Sequence, residues 1–200
     1  AQFITPLTLS ALAEHQVYEE LFSLKDEAEM GHIRLAREAD LILVAPASAD
    51  LITKMAHGFA DDLASTTLLA ADGPIAIAPS MNPVMWANAA TQANVATLMQ
   101  RGIHIWGPAD GDMACGEIGT GRFVEPEDLT TMADAFFAPK PLAGKTALVT
   151  SGPTHEPIDP VRVMANRSSG QQGQAIASAL AAAGVRVTLV SGPVNLPPPP

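Results

Sequence analysis

A single cysteine stands in the 200 residues of this chain, so no disulfide can form within it and its fold does not call for an oxidising compartment. Aromatic residues are scarce, 4 % against 48 % hydrophobic residues overall, so alanine and the branched aliphatics must fill the core. Basic residues are outnumbered, 11 Lys and Arg against 21 Asp and Glu, which leaves a net charge of −10. With no basic stripe to displace phosphate counterions, the composition argues against a nucleic-acid partner. Long apolar runs are missing as well: each is short and punctuated by Pro, Asp or Lys, so none reads as a membrane-spanning helix. The opening residues carry no signal-peptide pattern.

What the chain does have is alternation. Leu41–Ala45, Ile75–Ala78, Ile103–Trp106, Thr146–Thr150 and Arg186–Val190 read as short buried strands. Helical patterns over 9–22, 32–38, 51–71, 86–101, 127–137 and 171–183 lie around and between them. Gly102 and Gly184 each close a helical run just before a strand, as expected of αβ connections. The fold class is therefore α/β with a parallel sheet flanked by helices. Two prolines and a glycine within 137–144 mark a boundary, giving a first domain over 1–139, a linker over 140–145 and the start of a second α/β domain over 146–200.

Two motifs carry chemistry. Gly111–Phe123 surrounds Cys115 with four glycines and places Glu117 and Arg122 close by. Glycine at this density is too permissive for a helix or strand interior and suits a flap that folds over a ligand. A surface loop with an incidental thiol is the competing reading. Pro79-Ser-Met-Asn-Pro-Val-Met-Trp86 follows the apolar run directly, so Asn82 sits where a parallel strand delivers its loop, the usual ligand position of open α/β sheets. A neutral amide offers N–H donors to a carboxylate without repelling it, and Met81, Met85 and Trp86 supply polarizable walls. Asn82 as a helix cap with Pro83 at the first helical position is a second reading, compatible with the first.

Met30-Gly-His-Ile33, Ala45-Pro-Ala-Ser-Ala-Asp50, the Asn82 motif and the Cys115 flap occur in the order and spacing of the flavin-containing cysteine decarboxylases. The chain resembles, over essentially its whole length, the bacterial bifunctional coenzyme A biosynthesis proteins, in which a phosphopantothenoylcysteine decarboxylase is fused to a phosphopantothenate-cysteine ligase. The resemblance implies a flavodoxin-like or Rossmann-like first domain with FMN as cofactor, a cytoplasmic location, and a homo-oligomer, trimer or dodecamer, with flavin at the subunit interface. It assigns His32 as base, Asn82 as the grip on the substrate carboxylate and Cys115 as acid, with Met81, Met85, Trp86, Ala114, Gly116 and Arg122 around the substrate. Ala47, Ser48, Asp50, Ser65 and Thr66 are its flavin contacts, although Ser48 and Asp50 also suit a helix cap. Where the family usually has methionine, this chain has Phe123. Members also open with a strand and a glycine-rich turn for the flavin phosphate; neither is legible in residues 1–24, so the expectation is a chain cut at the front, with weak flavin retention.

The chemistry fits that assignment. Loss of CO2 from a cysteine amide leaves a carbanion that needs an electron sink, and oxidation at the sulfur-bearing carbon by flavin creates one. In the second domain, Thr150–Arg162 and Ala165–Gly170 resemble the opening of the ligase, implying Asn166 in its active site and Gly152, Ser168, Ser169 and Gly170 near CTP, with Mg2+ required by the complete ligase domain. A strand feeding a Gly/Ser loop and then a helix offers amide donors to phosphate. Decarboxylase, ligase and noncatalytic interaction subunit are three functions that remain distinct here. No metal site is expected in the decarboxylase: Asp61 and Asp62 read as a solvated face, and His15, His57, His104 and His155 have no metal-ligand partners in sequence and read as structural or surface residues.

Overall fold

The computed structural model describes residues 4–19, 31–113 and 116–197, with the backbone alone at 31 and 32. It comprises two compact units, Ala1–Leu129 and Thr130–Pro200.

In the first unit Thr5 accepts a hydrogen bond from the Thr8 N–H at 3.3 Å and Pro6 takes the first helical position, opening α1 (Pro6–Ala13). Glu14, left-handed at φ 55, ends it. The helix expected over 9–22 is thus earlier and shorter; 15–19 are not helical, and 20–22 lie outside the described residues. Next comes α2 (Gly31–Glu38), then strand β1 (Ile42–Ala47).

The expected helix over 51–71 is two helices, α3 (Ala49–His57) and α4 (Leu63–Ala70). Gly58 turns left-handed and sends its N–H back to the Lys54 carbonyl, closing α3. Asp62 then opens α4 with a capping box, accepting from the Ser65 N–H at 2.7 Å while the Ser65 hydroxyl accepts from the Asp62 N–H at 3.2 Å. After β2 (Ile75–Pro79), the expected helix over 86–101 is also divided, into α5 (Pro83–Ala87) and α6 (Ala89–Gln100). Asn88 ends the first and caps the second, its Oδ1 accepting from the Ala90 N–H at 2.9 Å. Caps buried in a continuous apolar pattern are what the periodicity conceals.

Strands β1, β2 and β3 (His104–Ile105) form a parallel sheet in that order. Ile77 of β2 pairs with Val44 on one side and Ile105 on the other, and β2 is buried along its whole length. Parallel neighbours need crossovers, and the helix pairs α3–α4 and α5–α6 supply them. The core gathers Ile52, Ala56, Leu68, Ile75, Ile77, Met81, Val95 and Leu98. All are aliphatic or Met, as the shortage of aromatics requires, and each large one contributes roughly 1.5–3 kcal/mol by burial.

The glycine-rich segment departs from expectation. It is an antiparallel hairpin, β4 (Ala109–Asp112) and β5 (Ile118–Arg122), rather than a loop without strands. Gly119 and Gly121 alternate onto one face of β5. A Cβ at Gly119 would stand 3.2 Å from the Pro83 ring, and one at Gly121 would fall on the Met81 carbonyl oxygen. The glycines let the strand lie flat against the loop that carries Asn82, with the Met81 N–H donating to the Gly121 carbonyl at 3.0 Å.

Helix α7 (Pro126–Phe137) contains the division between the units, ahead of the expected linker at 140–145. In the second unit β6 (Thr146–Ser151) is followed by an antiparallel pair, β7 (His155–Pro157) and β8 (Val163–Ala165), which the periodicity did not anticipate. Helix α8 (Gln171–Ala182) crosses over to β9 (Arg186–Ser191), which pairs with β6 in parallel, residue for residue. Both strands were expected.

Candidate active site

The site in the first unit begins with the tie between adjacent strand exits. The Ser80 N–H, just past β2, donates to the Ala47 carbonyl at the end of β1 at 3.0 Å. Two residues on, Asn82 caps α5: its Oδ1 accepts from the Val84 N–H at 2.8 Å and the Met85 N–H at 3.4 Å. The cap and pocket readings of this residue are therefore one arrangement. Because helix N–H groups can meet only an acceptor, the cap fixes which way the amide faces, and Nδ2 is left as a donor beyond the helix. That Nδ2 donates to the Glu117 carboxylate on the hairpin.

Met81, Asn82, Met113, Arg122, Phe123 and Glu125 line a cleft of about 450 Å³ here. Met81 is nearly buried and forms its floor. The Arg122 guanidinium pairs with Glu125, three residues along and in the same lining. Both side chains are about half exposed, so the pair is worth no more than about 1 kcal/mol and Arg122 is free to turn toward an anion at little cost. Met85 and Trp86 are not in the lining: Met85 is exposed, and Trp86 packs against the hydrophobic core.

Around the exit of β1, the Ser48 hydroxyl caps α3, accepting from the Leu51 N–H at 3.2 Å. Lys54 gathers three carboxylates, at 3.8 Å from Asp50, 2.9 Å from Asp61 and 2.8 Å from Asp62. The ammonium hydrogen bond, followed by the Ser65 N–H, holds Asp62 down to about 2. Asp62 and Asp61 in turn raise Lys54 well above the usual lysine range. The aspartates thus serve a lysine and a cap, and no group of three or more His, Cys, Asp or Glu is arranged for a metal among the described residues. Ser65 is committed to that cap. Thr66 differs: its Oγ1 is buried and has no hydrogen-bond partner among the described residues.

The second unit has its own cleft, of about 630 Å³, at the exit of β6. Gly152, Ser168, Ser169 and Gly170 all line it. The buried Ser151 hydroxyl donates to the Gly170 carbonyl at 2.8 Å, tying the strand exit to the start of α8. Asn166 stands off the lining; its Oδ1 accepts from the Ser168 N–H at 3.0 Å and shapes the loop.

With both clefts in place, the chain can be set beside known proteins. Residues 1–138 match the flavoprotein family model, and residues 142–200 match that of the DNA/pantothenate metabolism flavoprotein C-terminal domain. The chain belongs to the flavoprotein family. This flavoprotein is 54 % identical over 198 residues to the coenzyme A biosynthesis bifunctional protein CoaBC of Vibrio vulnificus (strain YJ016), covering 99 % of this chain and 49 % of that protein. It is 51 % identical over 199 residues to CoaBC of Escherichia coli (strain K12), again covering 99 % of this chain and 49 % of the relative. The chain therefore spans about half the length of the curated relatives it matches.

Among solved structures, the FMN binding protein AtHal3 aligns with a TM-score of 0.59 at 31 % identity, over 68 % of this chain and 76 % of that one. A PPC decarboxylase mutant complexed with pantothenoylaminoethenethiol aligns with a TM-score of 0.55 at 31 % identity, over 61 % and 70 %. The fold is the flavodoxin-like α/β fold of these proteins, as the motifs implied.

Within this flavoprotein the structure brings together Met81, Asn82 and Arg122, and separately Gly152, Ser168, Ser169 and Gly170. Gly116 belongs to the tied turn of the hairpin, its N–H donating to the Met113 carbonyl at 2.8 Å. Ala114 and Cys115 lie outside the described residues, as does Met30, and His32 is described by its backbone alone, in the first turn of α2. Two residues gain a position that sequence reasoning did not give them. Glu117 meets Asn82, and Glu125 meets Arg122. The sequence signal for Glu117 was its place two residues past the cysteine in the glycine-rich run.

Proposed function

We infer that the first unit is an FMN-dependent decarboxylase acting on 4'-phosphopantothenoylcysteine to give 4'-phosphopantetheine, and that the second unit begins a CTP- and Mg2+-dependent phosphopantothenate-cysteine ligase. The observation that carries this reading is the orientation of Asn82. Its Oδ1 is consumed by the α5 cap, so Nδ2 is the donor of this cleft-lining residue, and its pairing with the Glu117 carboxylate supports the reading that it suits an anionic acceptor such as a substrate carboxylate.

The residues present fit a flavin. The unpartnered buried hydroxyl of Thr66 calls for a polar partner, and the Ser48–Asp50 turn lies at a strand exit where ligands of this fold class bind. Ser48, Asp50 and Thr66 would hold the group. When bound, the flavin supplies a reversible two-electron sink at the sulfur-bearing carbon of the substrate.

The protein's own residues do the rest. Asn82 Nδ2 positions the carboxylate that departs as CO2, and Met81 offers a polarizable floor. Arg122 adds a positive charge to the cleft wall, balanced by Glu125. His32 acts as the base, since imidazole exchanges protons near neutral pH, and Cys115 supplies a proton at the end of turnover. The hairpin limits water at the reacting carbon. A homo-oligomer with flavin between subunits, located in the cytoplasm, belongs to the same reading; α1 buries none of its own residues and exposes Leu7 and Leu12, a surface that assembly would cover.

The test is direct. The full-length protein, loaded with FMN and given 4'-phosphopantothenoylcysteine, should release one CO2 per 4'-phosphopantetheine formed without net consumption of an oxidant. Binding of FMN with no CO2 release would overturn the decarboxylase reading and leave a flavin-binding interaction subunit.

A further inference from the structure

Two carboxylates have a claim on one amide. Asn82 lines the cleft, and two N–H groups of α5 hold its Oδ1, so Nδ2 is the only polar atom of its side chain left to pair elsewhere. That Nδ2 already donates to the Glu117 carboxylate. Glu117 is held there by its backbone. Its carbonyl accepts from the Met113 N–H at 2.9 Å, and the Gly116 N–H donates to Met113 at 2.8 Å, so the turn is tied on both sides. The stem of the hairpin is fixed to the same loop through Met81 and Gly121. The hairpin therefore delivers, to the one donor assigned to the substrate carboxylate, a carboxylate of its own.

From this geometry we propose that Glu117 is a placeholder and selectivity residue: its carboxylate holds the Asn82 amide and exchanges with the carboxylate of an N-acyl-cysteine ligand. This rests on the decarboxylase reading and deepens it. An incoming carboxylate must either displace Glu117 or sit beside it, and like charges that close oppose each other. Binding of a carboxylate ligand is thus set back by the occupant it replaces. A ligand without that carboxylate, the decarboxylated product, makes no claim on Nδ2 and leaves Glu117 in place. Once CO2 departs, Glu117 returns to the amide, so a product-bound site does not keep an unpaired donor. Glu117 is a positioning residue here; it transfers no proton and forms no bond.

The test separates this role from a structural one. In the full-length protein with FMN, the dissociation constants of 4'-phosphopantothenoylcysteine and 4'-phosphopantetheine are measured for the parent and for E117A and E117Q, each with Asn82 and with N82A. E117A should tighten the carboxylate-bearing ligand about tenfold and leave the product within about twofold, the contrast expected when one charged competitor is removed. E117Q, which keeps the size of the side chain and loses its charge, should shift the same ratio in the same direction. In the N82A background both shifts should vanish, since no amide remains to contest.

Equal changes for the two ligands, or a shift that survives N82A, would overturn the proposal and assign Glu117 to hairpin stability alone. An unchanged ratio would overturn it as well, with the decarboxylase reading intact. Failure of the parent protein to bind either ligand would remove the decarboxylase reading and the placeholder together.

Discussion

The cleft beyond β2 and the cleft beyond β6 occupy the same kind of position, the carboxyl end of a parallel strand, yet they are furnished in opposite ways. Charged and amide side chains, Asn82 fixed by its cap with Arg122 and Glu117, do the work in and beside the first, and a hairpin presses onto it through glycines. The second is lined by glycines and serines around a backbone turn, with a buried hydroxyl tying the turn to its strand. The first can tell one functional group from another, because a donor of known orientation meets a carboxylate. The second offers many small, similar donors, which suits phosphate oxygens in several poses.

The largest expected effect comes from G121A. A Cβ there meets the Met81 carbonyl, and the residue's φ of 144 disfavours any side chain. The hairpin should detach at a cost of about 3 kcal/mol. The Met81 amide, which donates to Gly121, should then exchange its hydrogen about 100-fold faster, while amides of β6 and β9 keep their protection. Unchanged Met81 exchange would mean that the hairpin does not shape the first cleft.

A smaller effect tests the second cleft. S151A deletes the buried hydrogen bond to Gly170, worth about 1 kcal/mol, and should speed exchange near the start of α8 about fivefold without touching the Met81 amide. Equal speeding in both units would abolish the contrast between them.

The smallest concerns Asp62, whose carboxyl is held from 3.8 down to about 2. A depressed carboxylate contributes stability above its ordinary value and loses it as the pH falls toward its folded value. Since Asp62 is 45 % exposed, that contribution stays below about 1 kcal/mol. D62N retains a capping oxygen, so its unfolding free energy should match the parent at pH 2 and fall short of it by that small amount at pH 6. A large deficit at both values would show that Lys54 and its carboxylates do more than brace α4.

How legible each region was follows from the range of its interactions. Asn82 could be read from sequence because its neighbours state its role locally: an apolar strand before it and Pro83 after it. The five parallel strands were legible for the same reason. The breaks at 58–62 and at Asn88 were not, since short capping segments interrupt an apolar pattern that continues on either side. Met85 and Trp86 shared a motif with Asn82 but point elsewhere, because the cap sets the rotation of a five-residue helix. The hairpin was misread for a physical reason: glycines that look like a surrender of structure are there for close approach, which only the partner loop reveals. Glu117 depends on that docking and so was invisible as a partner of Asn82.

The account turns on the amide of Asn82 facing the cleft as a donor to a carboxylate. The most direct measurement compares N82D with the parent, in the full-length FMN-loaded protein, for affinity toward 4'-phosphopantothenoylcysteine and 4'-phosphopantetheine. Aspartate can still cap α5 but offers no donor, so the carboxylate-bearing ligand should weaken about 10- to 100-fold while the product changes little. Equal affinity of N82D and parent for both ligands would contradict the account.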